Sequence, residues 1–273
     1  MTLKNVHHRF KVDYKLGSGA FGEIYAGHEL YTDVPVAIKL EQTNARHPQL
    51  RYEARIYHTL QHELQGFIPR MYYFGNEKSY NVLVLQRLGK NFEQLRSESP
   101  TQRLSYSVVA EVAVAVLTIL ELFHDLGFVH RDLKPDNILT GLDGKGVYLI
   151  DFGLSKMIFD SVTGKHISDR AGKHLIGTPR YASIGNHRGH EQGRKDDLES
   201  LGYVLLYLLR GFLPWQSITE DYDSIMREKQ SKIQDLSLFI DTPTAFRRFF
   251  RYINTLHFGD RPDYDYLRRL FTK

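Results

Sequence analysis

His130-Arg131-Asp132-Leu133-Lys134-Pro135-Asp136-Asn137 decides how this chain is read. Within eight residues it gathers a carboxylate, an ammonium group and a carboxamide. Asp132 can accept the proton of an attacking hydroxyl. Lys134 can steady the group being transferred, and Asn137 can ligate a metal ion through its amide oxygen. A plain loop has no reason to concentrate such side chains directly behind an apolar run.

That run, residues 107–124, is apolar nearly all round, the pattern of a helix buried inside a lobe. Its longest apolar stretch, 108–122, contains Glu111 and Glu121 and falls short of the roughly 20 residues that cross a bilayer. After the octet, residues 147–150 read as a strand that ends in Asp151-Phe152-Gly153. A carboxylate released at a strand end by a glycine is well placed for Mg²⁺ bridging phosphates.

Further upstream, residues 14–40 alternate in the manner of strands around Gly17-Ser18-Gly19-Ala20-Phe21-Gly22. This G-x-G-x-x-G lies between two strands, whereas a dinucleotide fingerprint lies between a strand and a helix. A glycine-rich hairpin can approach phosphates closely because no Cβ blocks the backbone. Val36-Ala37-Ile38-Lys39 then sets one lysine in an apolar strand, an expensive placement unless it is paired. Glu53, on a helical pattern over 48–64, is the natural partner. Strand-like runs return at 70–74 and 81–86, so the first ~88 residues read as a small sheet carrying one helix. Gly89-Lys90-Asn91 reads as a hinge, and residues 198–209, 244–256 and 267–271 read as further helices.

Composition limits the alternatives. With 273 residues, 42% hydrophobic and 25% charged, the chain suits two lobes, here 1–88 and 89–273, in one domain. It has no cysteine, which excludes disulfides and thiolate metal sites and fits a reducing compartment. The net charge of +4 is a mild bias toward acidic partners, without the dense basic stripe that nucleic acid requires. The first ten residues have no apolar core and do not read as a signal peptide, so cytoplasm or nucleus is expected.

The order of the four motifs is that of protein kinases. Closer segments resemble the casein kinase I family: His47-Pro48-Gln49-Leu50 and Gly177-Thr178-Pro179-Arg180-Tyr181-Ala182-Ser183-Ile184; Glu191-Gln192 and Asp196-Asp197-Leu198-Glu199-Ser200-Leu201-Gly202-Tyr203; then Leu213-Pro214-Trp215-Gln216 and Arg261-Pro262-Asp263-Tyr264. The likeness runs from about Phe10 to Phe271.

The resemblance implies an α+β, bilobal kinase fold. A small β-rich N-lobe carries one main helix, and the larger C-lobe is mainly α-helical. It implies transfer of the γ-phosphoryl of Mg²⁺-bound ATP to protein Ser or Thr, the Ser/Thr preference being carried by Lys134. The roles it implies are Asp132, Lys134, Lys39 and Glu53 in catalysis and Asn137 and Asp151 on the metal. ATP would contact Leu16, Gly17, Gly19, Gly22, Ile24, Ala37, Lys39 and Leu139, with Leu85 as gatekeeper and Gln86 and Leu88 as hinge groups. Arg87 is a charge where the hinge is more often apolar.

Relatives favour acidic or phosphorylated substrates, and Arg170, Lys173 and Arg180 would form the matching anion site. Two departures bear on it. Gly185 stands where the family has Asn, and Thr219-Glu220-Asp221-Tyr222-Asp223 is acidic where the family is basic, with Arg227 and Lys229 as possible substitutes. With no long tail after 267–271, a constitutively active, monomeric domain is expected. The competing readings are a pseudokinase that binds nucleotide without turnover and a phosphopeptide-binding scaffold. Both leave Lys39, Asp132, Asn137 and Asp151 together without a purpose.

Overall fold

The structure is a computed structural model, and it describes residues 3–19, 22–46, 48–219 and 221–272. Ala20 and Phe21 of the glycine motif, His47 and Glu220 lie outside the described residues. Two compact units are present: Met1–Lys90 with Leu139–Gly153, and Asn91–Ile138 with Leu154–Lys273. The segment Leu139–Gly153 groups with the β-rich unit.

The first unit is built on an antiparallel sheet of six strands: β1 (Asn5–Val6), β2 (Phe10–Gly19), β3 (Gly22–Glu29), β4 (Pro35–Gln42), β5 (Met71–Glu77) and β6 (Tyr80–Gln86). Their order is β1-β2-β3-β4-β6-β5. Period-two alternation divides β4 between two faces. Val36, Ile38 and Leu40 join Leu3, Val6, Phe10, Val82 and Val84 in one apolar cluster. Ala37, Lys39 and Glu41 occupy the other face. Helix α1 (Leu50–Leu60) packs on β5 and β6 and buries Glu53, Ala54, Ile56 and Tyr57. The hairpin of β2 and β3 closes with Gly19 opposite Gly22. Gly22 has φ of +142°, and a Cβ there would lie 2.0 Å from the Leu40 carbonyl oxygen, so only glycine fits.

The second unit contains α2 (Phe92–Glu98), α3 (Tyr106–Asp125), α4 (Ile184–His187), α5 (Arg194–Arg210), α6 (Tyr222–Gln234), α7 (Thr244–Ile253) and α8 (Tyr264–Arg269). Helix α3 has 20 residues, longer than the apolar run suggested, and by length and composition alone could cross a membrane. Here it packs against α5 and α8 and buries Val109, Val112, Val116, Leu120 and Phe123 among others. The C-terminal helix begins at Tyr264 rather than 267, because Asp263 accepts the amide of Tyr266 and caps it there. Three helices, α2, α4 and α6, are not among those expected from the sequence. Asn91 and Gln94 form a reciprocal capping box that starts α2. Asp221 accepts the amide of Ser224 at 2.9 Å and starts α6, so this acid of the 219–223 stretch serves a helix terminus.

Gly202 of α5 lies against α7. A Cβ there would sit 2.7 Å from the Phe250 ring and 3.1 Å from that of Phe249. Both rings are buried, so neither can swing into solvent. Gly202→Val should overpack this contact by about 1–3 kcal/mol and lower the thermal midpoint by about 5 °C. An unchanged melt would show that the helices separate at little cost.

Candidate active site

In the first unit the cationic centre is Lys39. Its Nζ donates to Glu53 Oε2 at 2.6 Å and lies 3.5 Å from Asp151 Oδ1. Burial works to lower the Lys39 pKa, but the Glu53 and Asp151 carboxylates outweigh it and hold Lys39 above its ordinary value. Burial also raises the Glu53 carboxyl, with Lys39 pulling it back. Phe152 meets Tyr57 of α1 edge-on at 5.0 Å, so the segment bearing Asp151 is packed on the helix bearing Glu53.

The sheet register places the remaining first-unit candidates. Gly17 faces Ile24, Ile24 faces Lys39, and Ala37 faces Leu85. A Cβ built on Gly17 meets nothing within 4 Å, so this glycine leaves open space beside β2. Gln86 donates its amide to the Arg70 carbonyl at 2.7 Å, and Leu88 is buried. Gly89 N donates to Thr140 O at 2.8 Å, which ties the segment beginning at Leu139 to the hinge. Leu16 is exposed, and the Arg87 guanidinium lies 5.8 Å over the Tyr14 ring.

In the second unit the octet is held from beneath by Asp197 of α5. This carboxylate, 2% exposed, accepts the amides of His130 at 2.7 Å and Arg131 at 2.9 Å, and it contacts His124 Nε2 at 2.8 Å. Burial works to raise its pKa, but His124 and the other donors hold it below the usual carboxylate value. Arg131 takes φ of +69°, a left-handed conformation, and its Nε donates to the Leu154 carbonyl at 2.7 Å. The turn presents Asp132, whose Oδ2 receives Lys134 Nζ at 2.7 Å. Asp132 Oδ1 receives both the amide (2.9 Å) and the hydroxyl (2.8 Å) of Thr178. Gly177 allows this approach: its φ is +88°, and a Cβ would lie 2.4 Å from the Arg131 carbonyl oxygen. Asn137 Nδ2 donates to the Asp132 carbonyl at 3.0 Å. The sequence reading gave Thr178 and Asp197 no role.

The anion candidates do not form one group. Lys173 lies 3.8 Å from Glu191, which also receives Lys156 at 2.7 Å. Burial tends to raise the Glu191 carboxyl, but Lys156, Lys173 and Arg131 hold it low. Arg170 is exposed, and its carbonyl accepts the Glu191 amide at 2.9 Å. Arg180 instead lies over the rings of Tyr181 and Tyr207, at 5.9 and 5.8 Å. Lys156 and Arg131 are basic members the sequence reading missed. Beside Gly185, Asn186 is buried and brackets Ile176 through its amide and carbonyl.

Neither suggested substitute is a free surface cation. Arg227 binds Ser224 Oγ and lies 3.8 Å from Asp221. Lys229 is fully buried, donating to the carbonyls of Pro179 (2.9 Å) and Ala182 (2.6 Å) near the rings of Tyr203 and Trp215. Burial pushes its pKa down to about 7, with Glu199 opposing.

Residues 10–261 match a family model described as a protein kinase domain.

His187, 3.2 Å from Lys229, gives the site an acid sensitivity. Burial first and Lys229 second push it from 6.5 down to about 4. The unfolded chain therefore binds a proton between those values that the folded chain does not, and stability falls as pH drops from about 6.5 to about 4. Discounted for partial exposure, the loss is ~1–2 kcal/mol. His187→Gln should flatten that part of the stability profile in urea titrations; an unaltered slope would place the acid sensitivity elsewhere.

Proposed function

The chain belongs to the protein kinase family, and we propose that it is a Ser/Thr kinase similar to casein kinase I, active without phosphorylation of its activation segment. The observation that carries this reading is the docking of Thr178 on Asp132 through both its backbone amide and its hydroxyl. A segment already seated by a backbone amide and a hydroxyl needs no added charge to bring it there.

In the proposed reaction the substrate hydroxyl oxygen forms a bond to the γ-phosphorus of ATP. The bond from that phosphorus to the bridging oxygen breaks, and ADP leaves. Asp132 takes the hydroxyl proton, and Lys134, adjacent to it, offsets the charge on the phosphoryl oxygens. Lys39, fixed by Glu53, would hold the non-transferred phosphates. Gly17, with open space around it, would leave room for the triphosphate chain, and Leu16, Gly19, Gly22, Ile24, Ala37, Leu85, Gln86, Leu88 and Leu139 would make the other ATP contacts. Asp151 and Asn137, hard oxygen donors, would hold Mg²⁺, which would supply neutralisation of phosphate charge.

For substrate choice, Lys156 and Lys173 meet at the single carboxylate of Glu191, and the charge of Arg131 also acts on it. The surplus positive charge, with Arg170 beside it, supports preference for acidic or phosphorylated sequences. Arg180 would join only by leaving its aromatic neighbours.

Phosphate transfer from Mg·ATP to a phospho-primed peptide and to a basic peptide should favour the primed one. Asp132→Asn should lower the rate by at least ~100-fold. ATP binding without transfer to either peptide would favour the pseudokinase reading. Lys156→Ala combined with Lys173→Ala should raise KM for the primed peptide about tenfold and spare the basic peptide. Equal effects on both would remove the anion site from the account.

A further inference from the structure

Helix α1 must present Glu53 to Lys39, yet its own sequence does not fix where it begins. Gln49, at the N-cap, makes no side-chain capping bond. The leading amides of a helix have no partner within it and need an acceptor from elsewhere. That acceptor is Glu41, two residues after Lys39 on β4. Its Oε1 accepts the amides of Gln49 at 2.6 Å and Leu50 at 3.0 Å. Its Oε2 accepts Asn81 Nδ2 at 3.0 Å, and Asn81 Oδ1 in turn accepts Asn76 Nδ2 at 2.6 Å. Glu41 is 2% exposed, so a buried carboxylate is committed wholly to this joint.

The connection closes on itself. Glu41 holds the Gln49 amide, and the Gln49 carbonyl accepts the Glu53 amide at 2.9 Å. Glu53 then reaches back to Lys39 on the strand where the path began. The spacings are comparable: two strand residues advance about 6.8 Å, and the four helical residues from Gln49 to Glu53 about 6 Å. Lys39 and Glu41 share one face of β4 and therefore meet the helix at two points one turn apart. The negative charge at the helix start is also favourable to its dipole.

We propose that Glu41 is a positioning residue for phosphoryl transfer: from β4 it fixes the first turn of α1 and thereby sets Glu53 against Lys39. This rests on the reading of Lys39 and Glu53 as phosphate-holding groups. Helix placement and charge placement then become one event, because the same strand supplies both anchors.

The test is steady-state transfer by the whole chain with wild type, Glu41→Gln, Glu53→Gln and the double variant, each checked for folding by its melt. Glu41→Gln keeps the shape but weakens the acceptor. It should lower kcat/KM for ATP about tenfold, with KM for the peptide unchanged. In the Glu53→Gln background the same change should cost less than about twofold, because its effect passes through Glu53. An equal loss in both backgrounds, or no loss in either, would overturn the proposal. Should Glu41→Gln not fold, Glu41→Asp, which keeps the charge but shortens the reach, is read through the same cycle. If Lys39→Met and Glu53→Gln leave transfer intact, the phosphate-holding reading itself falls. If those two impair transfer and Glu41→Gln does not, only the role of Glu41 is lost.

Discussion

The second unit depends on one buried carboxylate. Asp197 sits on α5 almost wholly out of solvent, where an isolated charge would cost several kcal/mol. Two backbone amides and an imidazole offset that cost, and in doing so they dictate the path of the octet. Arg131 is held in a left-handed conformation that few L-residues adopt unaided. The turn it makes presents Asp132 next to Lys134 and Thr178. Removing the carboxylate would leave two amide donors buried without acceptors as well as an unconstrained turn, so its effect on geometry exceeds the value of any one hydrogen bond.

The parts of this arrangement that were legible in the sequence are those whose chemistry is concentrated in a few consecutive residues. The octet and the strand bearing Lys39 are of this kind, since a polar group in an apolar run signals a partner. The sheet with one helix and the buried α3 were legible from periodicity. What escaped is non-local. Asp197 is 66 residues from Arg131, and Thr178 is 46 residues from Asp132. No periodicity links such positions. Glu41 escaped for another reason: at the end of an alternating strand it reads as one more solvated charge, and only the helix start lying against it reveals its use.

The acidic 219–223 stretch illustrates how a local departure can mislead. As a charge pattern it opposes binding of phosphate. Placed in the fold, Asp221 is engaged with Ser224 at the head of α6 and with Arg227. Lys229, which looked like a compensating surface cation, is instead directed inward at two carbonyls of the segment following Thr178. Charge counted along the chain and charge available to a ligand are different quantities.

The β-rich unit is discontinuous, and that affects its assembly during synthesis. Leu139–Gly153 joins residues made much earlier, through the pairing of Thr140 with Gly89 and Lys90 and of Leu149 with Phe67. At about 5–20 residues per second, the ribosome adds the intervening segment over several seconds. During that interval the first ninety residues lack Asp151 beside Lys39 and Phe152 against Tyr57. The nascent β-rich unit therefore waits, with one acid missing from its cationic centre and one aromatic missing from its helix, until the second half of the chain begins to emerge.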